Sequence, residues 1–148
     1  MLKVKLICVG RLKEKFYIDA CAEYMKRLGR YCRFELCEVN ESGSLEKEGA
    51  AVLEKIPAGV FVIAMCIEGR LMDSEKLAAE IAAKTVAGCS QMVLLIGGSE
   101  GLSESVKKRA QLRLSMSPMT FPHHLARVMV LEQLYRAFTI NEGSKYHK

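Results

Sequence analysis

Tryptophan is absent from the 148 residues, and proline and histidine occur three times each. No apolar run approaches the roughly 20 residues that cross a bilayer. The longest, Gly59 to Ile67, has the length of a strand, which excludes a membrane-spanning helix. The N-terminus lacks an export signal: the apolar stretch Leu6 to Val9 is short and is followed by Arg11, Lys13 and Lys15, so a cytoplasmic protein is expected. Six cysteines are present (Cys8, Cys21, Cys32, Cys37, Cys66, Cys89), but none forms a Cys-x-x-Cys pair and His123, His124 and His147 complete no zinc pattern. They lie mostly inside apolar segments and read as reduced thiols used as small core residues, with no metal expected. Repeats and linkers are missing too. With half of its residues hydrophobic, the chain is expected to form one domain over residues 1–148.

The net charge of +5 is modest, but it is unevenly spread. Residues 1–33 carry nine Lys or Arg against three acids, residues 34–56 two against six, and residues 107–148 eight against two. Basic blocks of this kind are either ordinary solvated faces or a surface for phosphates.

Hydrophobic spacing alternates between strand and helix. Lys3 to Val9 reads as a strand and Lys13 to Leu28 as an amphipathic helix with Tyr17, Cys21, Tyr24 and Leu28 on one stripe. Arg33 to Val39 is a second strand, Asn40 to Ser44 a loop, and Leu45 to Lys55 a shorter helix. Val60 to Ile67, apolar on both faces, reads as a central strand broken at Glu68-Gly69. A helix capped by Asp73 or Ser74 follows, then a strand over Met92 to Ile96, the loop Gly97-Gly98-Ser99-Glu100-Gly101, and a short basic helix around Ser103 to Ala110. A last strand alternates Leu112, Leu114 and Met116 before a long helix from about Leu125 to Ile140. Strands and helices alternating in this way specify an α/β domain with a largely parallel sheet. Val128, Met129, Val130, Leu131, Leu134, Tyr135, Ala137 and Phe138 cover more of the last helix than one core contact needs. That helix either crosses the middle of the subunit or forms a homodimer seam.

In parallel α/β sheets ligands sit beyond the carboxyl ends of the strands, which singles out the segments Met65 to Arg70, Ile96 to Gly101 and Met116 to His123. The glycine loop has neither the Walker order nor G-x-G-x-x-G. Its glycines would let the backbone approach a flat ligand, or simply form a tight turn.

Taken together, LLIGGSEGLS (Leu94 to Ser103), LSMSPMTFPHHLARVMVLEQLYRAFTI (Leu114 to Ile140) and the terminal YHK (Tyr146 to Lys148) closely resemble the small bacterial RlmH family, and LICVGRLKEKF (Leu6 to Phe16) fits its opening. These are SPOUT-superfamily methyltransferases acting on a pseudouridine of 23S ribosomal RNA. The resemblance implies a SPOUT-type parallel-sheet fold with a C-terminal trefoil knot, a homodimer, and S-adenosylmethionine as methyl donor. It implies donor contacts at Met65, at Gly97 and along Met116, Ser117, Pro118, Met119, Thr120 and Phe121. It also places His123, Tyr146, His147 and Lys148 at the active site, with the ribosome as partner.

The acceptor of that family, the ring 3-nitrogen of pseudouridine, is an imide N–H that loses its proton as the methyl arrives. His123 and His147 are the candidate bases. Tyr146 would offer a stacking face and Lys148 a phosphate contact. Methylation of another RNA, such as tRNA, and a catalytically inert ribosome-binding factor remain open as alternatives.

Overall fold

The computed structural model describes all 148 residues, Met1–Lys148. The elements follow in the order β1 (Lys3–Val9), α1 (Lys15–Leu28), β2 (Arg33–Val39), α2 (Leu45–Glu54), β3 (Phe61–Leu71), α3 (Ser74–Val86), β4 (Gln91–Ile96), α4 (Glu104–Arg109), β5 (Leu112–Ser115) and α5 (His123–Asn141). Five parallel strands form one sheet in the order β2-β1-β4-β3-β5. No helix is long and apolar enough to cross a membrane.

The two-residue period of the strands divides the core between the faces of the sheet. Val4, Leu6 and Cys8 of β1 and Met92, Leu94 and Ile96 of β4 pack with α1, α3 and α5. Ile7, Val9, Val93 and Leu95 point the other way, against Val52 of α2 and Val106 of α4. Every strand of the centre is therefore covered twice, which is why its sequence is apolar without alternation. Side-chain oxygens close the helix starts: Ser44, Asp73 and Ser103 accept from the N–H groups of Lys47, Lys76 and Val106.

Two of the boundaries that differ from the sequence expectation shape the C-terminal edge of the sheet. β3 does not stop at Glu68-Gly69 but runs on to Leu71. Met65 and Arg70 both pair with Leu114, so Cys66 to Gly69 bulge out of the ladder while strand geometry resumes beyond them. Glycine is required at position 69, where a Cβ would lie 2.8 Å from the Arg113 carbonyl carbon. Helix α5 begins at His123, not Leu125, because Pro122 has a helix-compatible φ of −54° and its missing N–H costs nothing at a helix start. Both histidines thus enter the first turn.

Helix α5 packs between α1 and α3, burying Val130, Leu131, Leu134 and Ala137. Full burial of each leucine contributes about 2 kcal/mol. Val128, Met129, Tyr135 and Phe138 stay partly covered, so crossing the subunit accounts for one side of this apolar helix and leaves a second strip available. Near its start Arg127, 1% exposed, donates from Nη1 to Glu38 Oε2 at 2.6 Å and from Nη2 to the Gly10 carbonyl at 3.1 Å. One guanidinium thereby ties α5 to the ends of β1 and β2, on the far side of the sheet from β5. The cysteines are all free thiols, and no group of side chains suited to a metal ion is present.

Candidate active site

A cavity of about 670 Å³ lies where the carboxyl ends of β3, β4 and β5 meet the start of α5. The three segments singled out in the sequence converge on it. Met65, Gly97, Met116, Ser117, Met119, Thr120 and Phe121 line the cavity, whereas Pro118 does not. The β5–α5 loop is shaped by its own serines: Ser115 Oγ donates to the Ser117 carbonyl at 3.0 Å, and Ser117 Oγ accepts from the Met119 N–H at 3.0 Å. Cys66 also lines the cavity. It is buried, its thiol lies 3.6 Å from the Ala64 carbonyl, and burial pushes its pKa up.

The glycine loop folds back on itself. Gly101, at φ +80°, donates its N–H to the Gly98 carbonyl at 3.0 Å, and a Cβ on Gly97 would lie 2.3 Å from the Gly101 carbonyl carbon. No side chain fits at Gly97, so backbone faces the cavity there. Glu100 is exposed, and Ser103 caps α4. The carboxylate that grips the loop is Glu41, which accepts from the Ser99 N–H at 2.9 Å and from Ser99 Oγ at 3.2 Å. Those bonds hold its carboxyl below the ordinary range. At the cavity mouth Lys107 pairs with Glu68, an ion pair that joins α4 to the β3 bulge.

His123 lies at the rim, with its Nε2 buried and free of any hydrogen bond; Glu41 Oε1 is 3.9 Å away. Burial first, and then the neighbouring His124, depress the His123 pKa. An imidazole in that state is neutral near pH 7 and presents a lone pair, which is what a proton acceptor requires. His124 packs beside it, ring centroids 4.2 Å apart, facing Glu14.

The other sequence candidates are elsewhere in the subunit. Tyr146 donates its hydroxyl to Glu132 Oε2 at 2.8 Å and lies against Arg136, whose guanidinium carbon is 4.8 Å from the ring centre. Burial and Glu132 push the Tyr146 phenol up to about 12. His147 Nδ1 is 3.0 Å from Arg136 Nη1, and Lys148 is exposed. Glu132 and Arg136 are about 14 and 20 Å along α5 from His123 at 1.5 Å per residue. Glu132 instead borders a second, more apolar cavity of about 360 Å³ that shares the Met65, Leu114 and Met116 wall with the first. One subunit therefore brings together His123 and the three loops, but not the tail.

A glycine-walled cleft with methionines, Phe121 and few charges suits a flat heteroaromatic ligand read by backbone edges. The chain is also matched from residue 2 to residue 147 by the family model for predicted SPOUT methyltransferases. This chain belongs to the SPOUT methyltransferase family. Among similar SPOUT proteins, the ribosomal RNA large subunit methyltransferase H of Streptococcus thermophilus is 46% identical, over 99% of this chain and all of its own length. The protein of the same name from Bifidobacterium adolescentis is 48% identical over the same shares. Among solved structures, a probable methylase family protein from Haemophilus influenzae Rd KW20 superposes with a TM-score of 0.58 at 17% identity, over 99% of this chain and 70% of its own; that likeness concerns the fold.

Proposed function

We propose that this SPOUT protein, a single domain over residues 1–148, methylates the ring 3-nitrogen of a pseudouridine in 23S ribosomal RNA. It would act in the cytoplasm as a homodimer on the large subunit of the assembled ribosome. The relatives' shared name supports the substrate class, and the full-length match supports carrying it over. The observation that carries the reading is the meeting of three strand-end loops with the His123 imidazole at a single cavity.

The residues fit S-adenosylmethionine. The cavity volume lies within the range for nucleoside-sized ligands, Gly97 leaves backbone on the wall where a Cβ would collide, Gly101 turns the loop at φ +80°, and Met65, Met116 and Phe121 offer apolar faces for an adenine. Bound there, the donor supplies an electrophilic methyl group on a sulfonium. The chain's own work is to orient two reactants and to receive a proton. His123 is the base in this reading because its imidazole lines the cavity with Nε2 unpaired, while His147 already engages Arg136. The depressed pKa keeps His123 competent below the usual imidazole range, so the acidic limb of the transfer rate falls at lower pH than free imidazole would give.

The trefoil knot and the homodimer belong to the same proposal. Residues 116–122 run from β5, at one edge of the sheet, past the glycine loop to an α5 anchored by Arg127 at β1 and β2, a crossing that a threaded C-terminus requires. The distance between the tail and its own His123 supports completion of each site by a partner's tail, across the part-covered strip of α5.

The deciding experiment is labelled-methyl transfer to ribosomes purified from a strain lacking the gene, with bulk tRNA as the competing acceptor. Transfer to ribosomes alone is the expected result. Preferential transfer to tRNA moves the substrate, and donor binding without transfer to either leaves a non-catalytic ribosome factor. His123→Ala should slow single-turnover transfer by about 100-fold or more while changing RNA affinity little; a wild-type rate removes His123 as the base. Gly97→Ala should weaken donor binding by about 10- to 100-fold in calorimetry, because the added methyl forces the Gly101 turn away.

A further inference from the structure

We propose that Glu41 is a positioning residue that holds the glycine loop and the His123 imidazole in one assembly, so that the donor site and the proton acceptor are set together. This deepens the reading just given and rests on it. Glu41 belongs to neither of the elements it joins. It extends from the β2–α2 loop, and its two oxygens divide their work: Oε2 receives both the N–H and the hydroxyl of Ser99, while Oε1 faces His123 Nε2 at 3.9 Å.

The surroundings are built around that carboxylate. Gly98 has no room for a side chain, since a Cβ would lie 2.5 Å from Glu41 Oε2 and 3.1 Å from Val9 Cγ1. At the end of β1, Gly10 has φ +100°, and the space its Cβ would occupy is faced by Glu41 Oε1 at 3.5 Å, His123 Nε2 at 3.8 Å and His124 Nε2 at 3.9 Å. The loop that carries Glu41 is itself fixed: the Ser42 and Gly43 N–H groups donate to Oε2 of Glu48, a buried acid in the first turn of α2. A side chain on a loop so anchored, with one oxygen packed against the Gly98 backbone, keeps a narrow range of positions.

The charged and titratable groups facing His123 come from three elements. Glu41 on the β2–α2 loop and Glu14 on the β1–α1 loop favour the imidazolium; His124 and Arg127 on α5 oppose it, as does burial. Glu41 is the acid that also touches the donor loop. Displacing the loop therefore changes the field at His123, and moving His123 disturbs the loop.

Two substitutions separate the two halves of this role. Glu41→Gln retains an oxygen for the Ser99 N–H but replaces the charge beside His123 with an amide, whose N–H can donate to the free Nε2. Affinity for S-adenosylmethionine, measured by calorimetry on the full chain, should stay within about twofold of wild type, while the His123 titration followed by NMR moves to lower pH. Glu41→Ala removes the acceptor as well and should weaken S-adenosylmethionine binding by about tenfold. A His123 titration unmoved in Glu41→Gln, or donor affinity unmoved in Glu41→Ala, overturns the proposal. Wild-type protein gives a reading free of any folding defect: the Ser99 amide proton should shift with the acid titration of Glu41, and a pH-independent Ser99 resonance is equally contrary. A wild-type transfer rate in His123→Ala would instead remove the base assignment and leave these measurements standing, so the two failures are distinguishable.

Discussion

Removing Tyr146 to Lys148 should reduce methyl transfer to ribosomes at least about 100-fold while leaving donor affinity within about twofold of wild type. None of these three residues borders the larger cavity, so the donor loses no contact with its own subunit. What is lost is acceptor geometry: the aromatic face of Tyr146, the His147 imidazole and a terminal cation, all supplied, in the proposed dimer, to the partner's site. Transfer assays and calorimetry on the same truncated protein make the comparison, and parallel loss of both quantities contradicts a tail confined to the acceptor. Stability should change little, by roughly 1 kcal/mol or less, because the Tyr146–Glu132 and His147–Arg136 contacts lie near the surface.

The second large effect is one of stability. Arg127→Ala should lower the free energy of unfolding by about 3 kcal/mol, read from urea melts. The guanidinium is 1% exposed and satisfies the Gly10 carbonyl and Glu38, whose side chain keeps 31% exposure. Truncation leaves a void at the start of α5 and an orphaned carbonyl at the end of β1, while Glu38 regains some water; hence the loss is placed at the low end for a broken buried pair. Arg127→Lys should recover part of it, since one ammonium cannot reproduce two fixed donor directions. A loss below about 1 kcal/mol for the alanine variant would show that the helix start is held by its apolar contacts alone.

Much of this architecture is legible in the chain because the strong local signals agree with the tertiary ones. The bounds of β2 are those expected from its alternation, and the ends of α2, α3 and β4 fall within a residue, where serine or aspartate caps and glycines punctuate the pattern. Beyond that the local signal fails for identifiable reasons. The bulge at Cys66 to Gly69 depends on how β3 meets β5, a pairing across 44 to 49 residues that no local period encodes. Pro122 opens α5 at His123, two residues ahead of the expected Leu125, and so carries both histidines into the helix. Arg127, counted among the basic residues of the C-terminal block, is the most deeply buried cation in the chain. Glu41 is not legible in the chain because Ser99, its partner, is 58 positions away, and an acid in a polar loop has no local mark of function. The loops around the cavity are legible from the rule for parallel sheets, and all but Pro118 of the donor-contact residues implied by the family resemblance line it. The folded tail is not legible there, because no local period encodes the contact of Tyr146 with Glu132, 14 positions away, or of His147 with Arg136, 11 positions away.

A cleft that holds an activated methyl group must not offer it a nucleophile of its own, and the sulfur on its wall bears on that requirement. Cys66 borders the cavity, yet its Sγ sits near the Ala64 carbonyl and its burial keeps it in the protonated, weakly nucleophilic form. Cys8, deeper still, is pushed up to about 12 and Cys32 to about 11. In the proposed site, the same packing that fills the core with small thiols would keep the wall from accepting the methyl group and leave the transferred carbon to the nucleic acid.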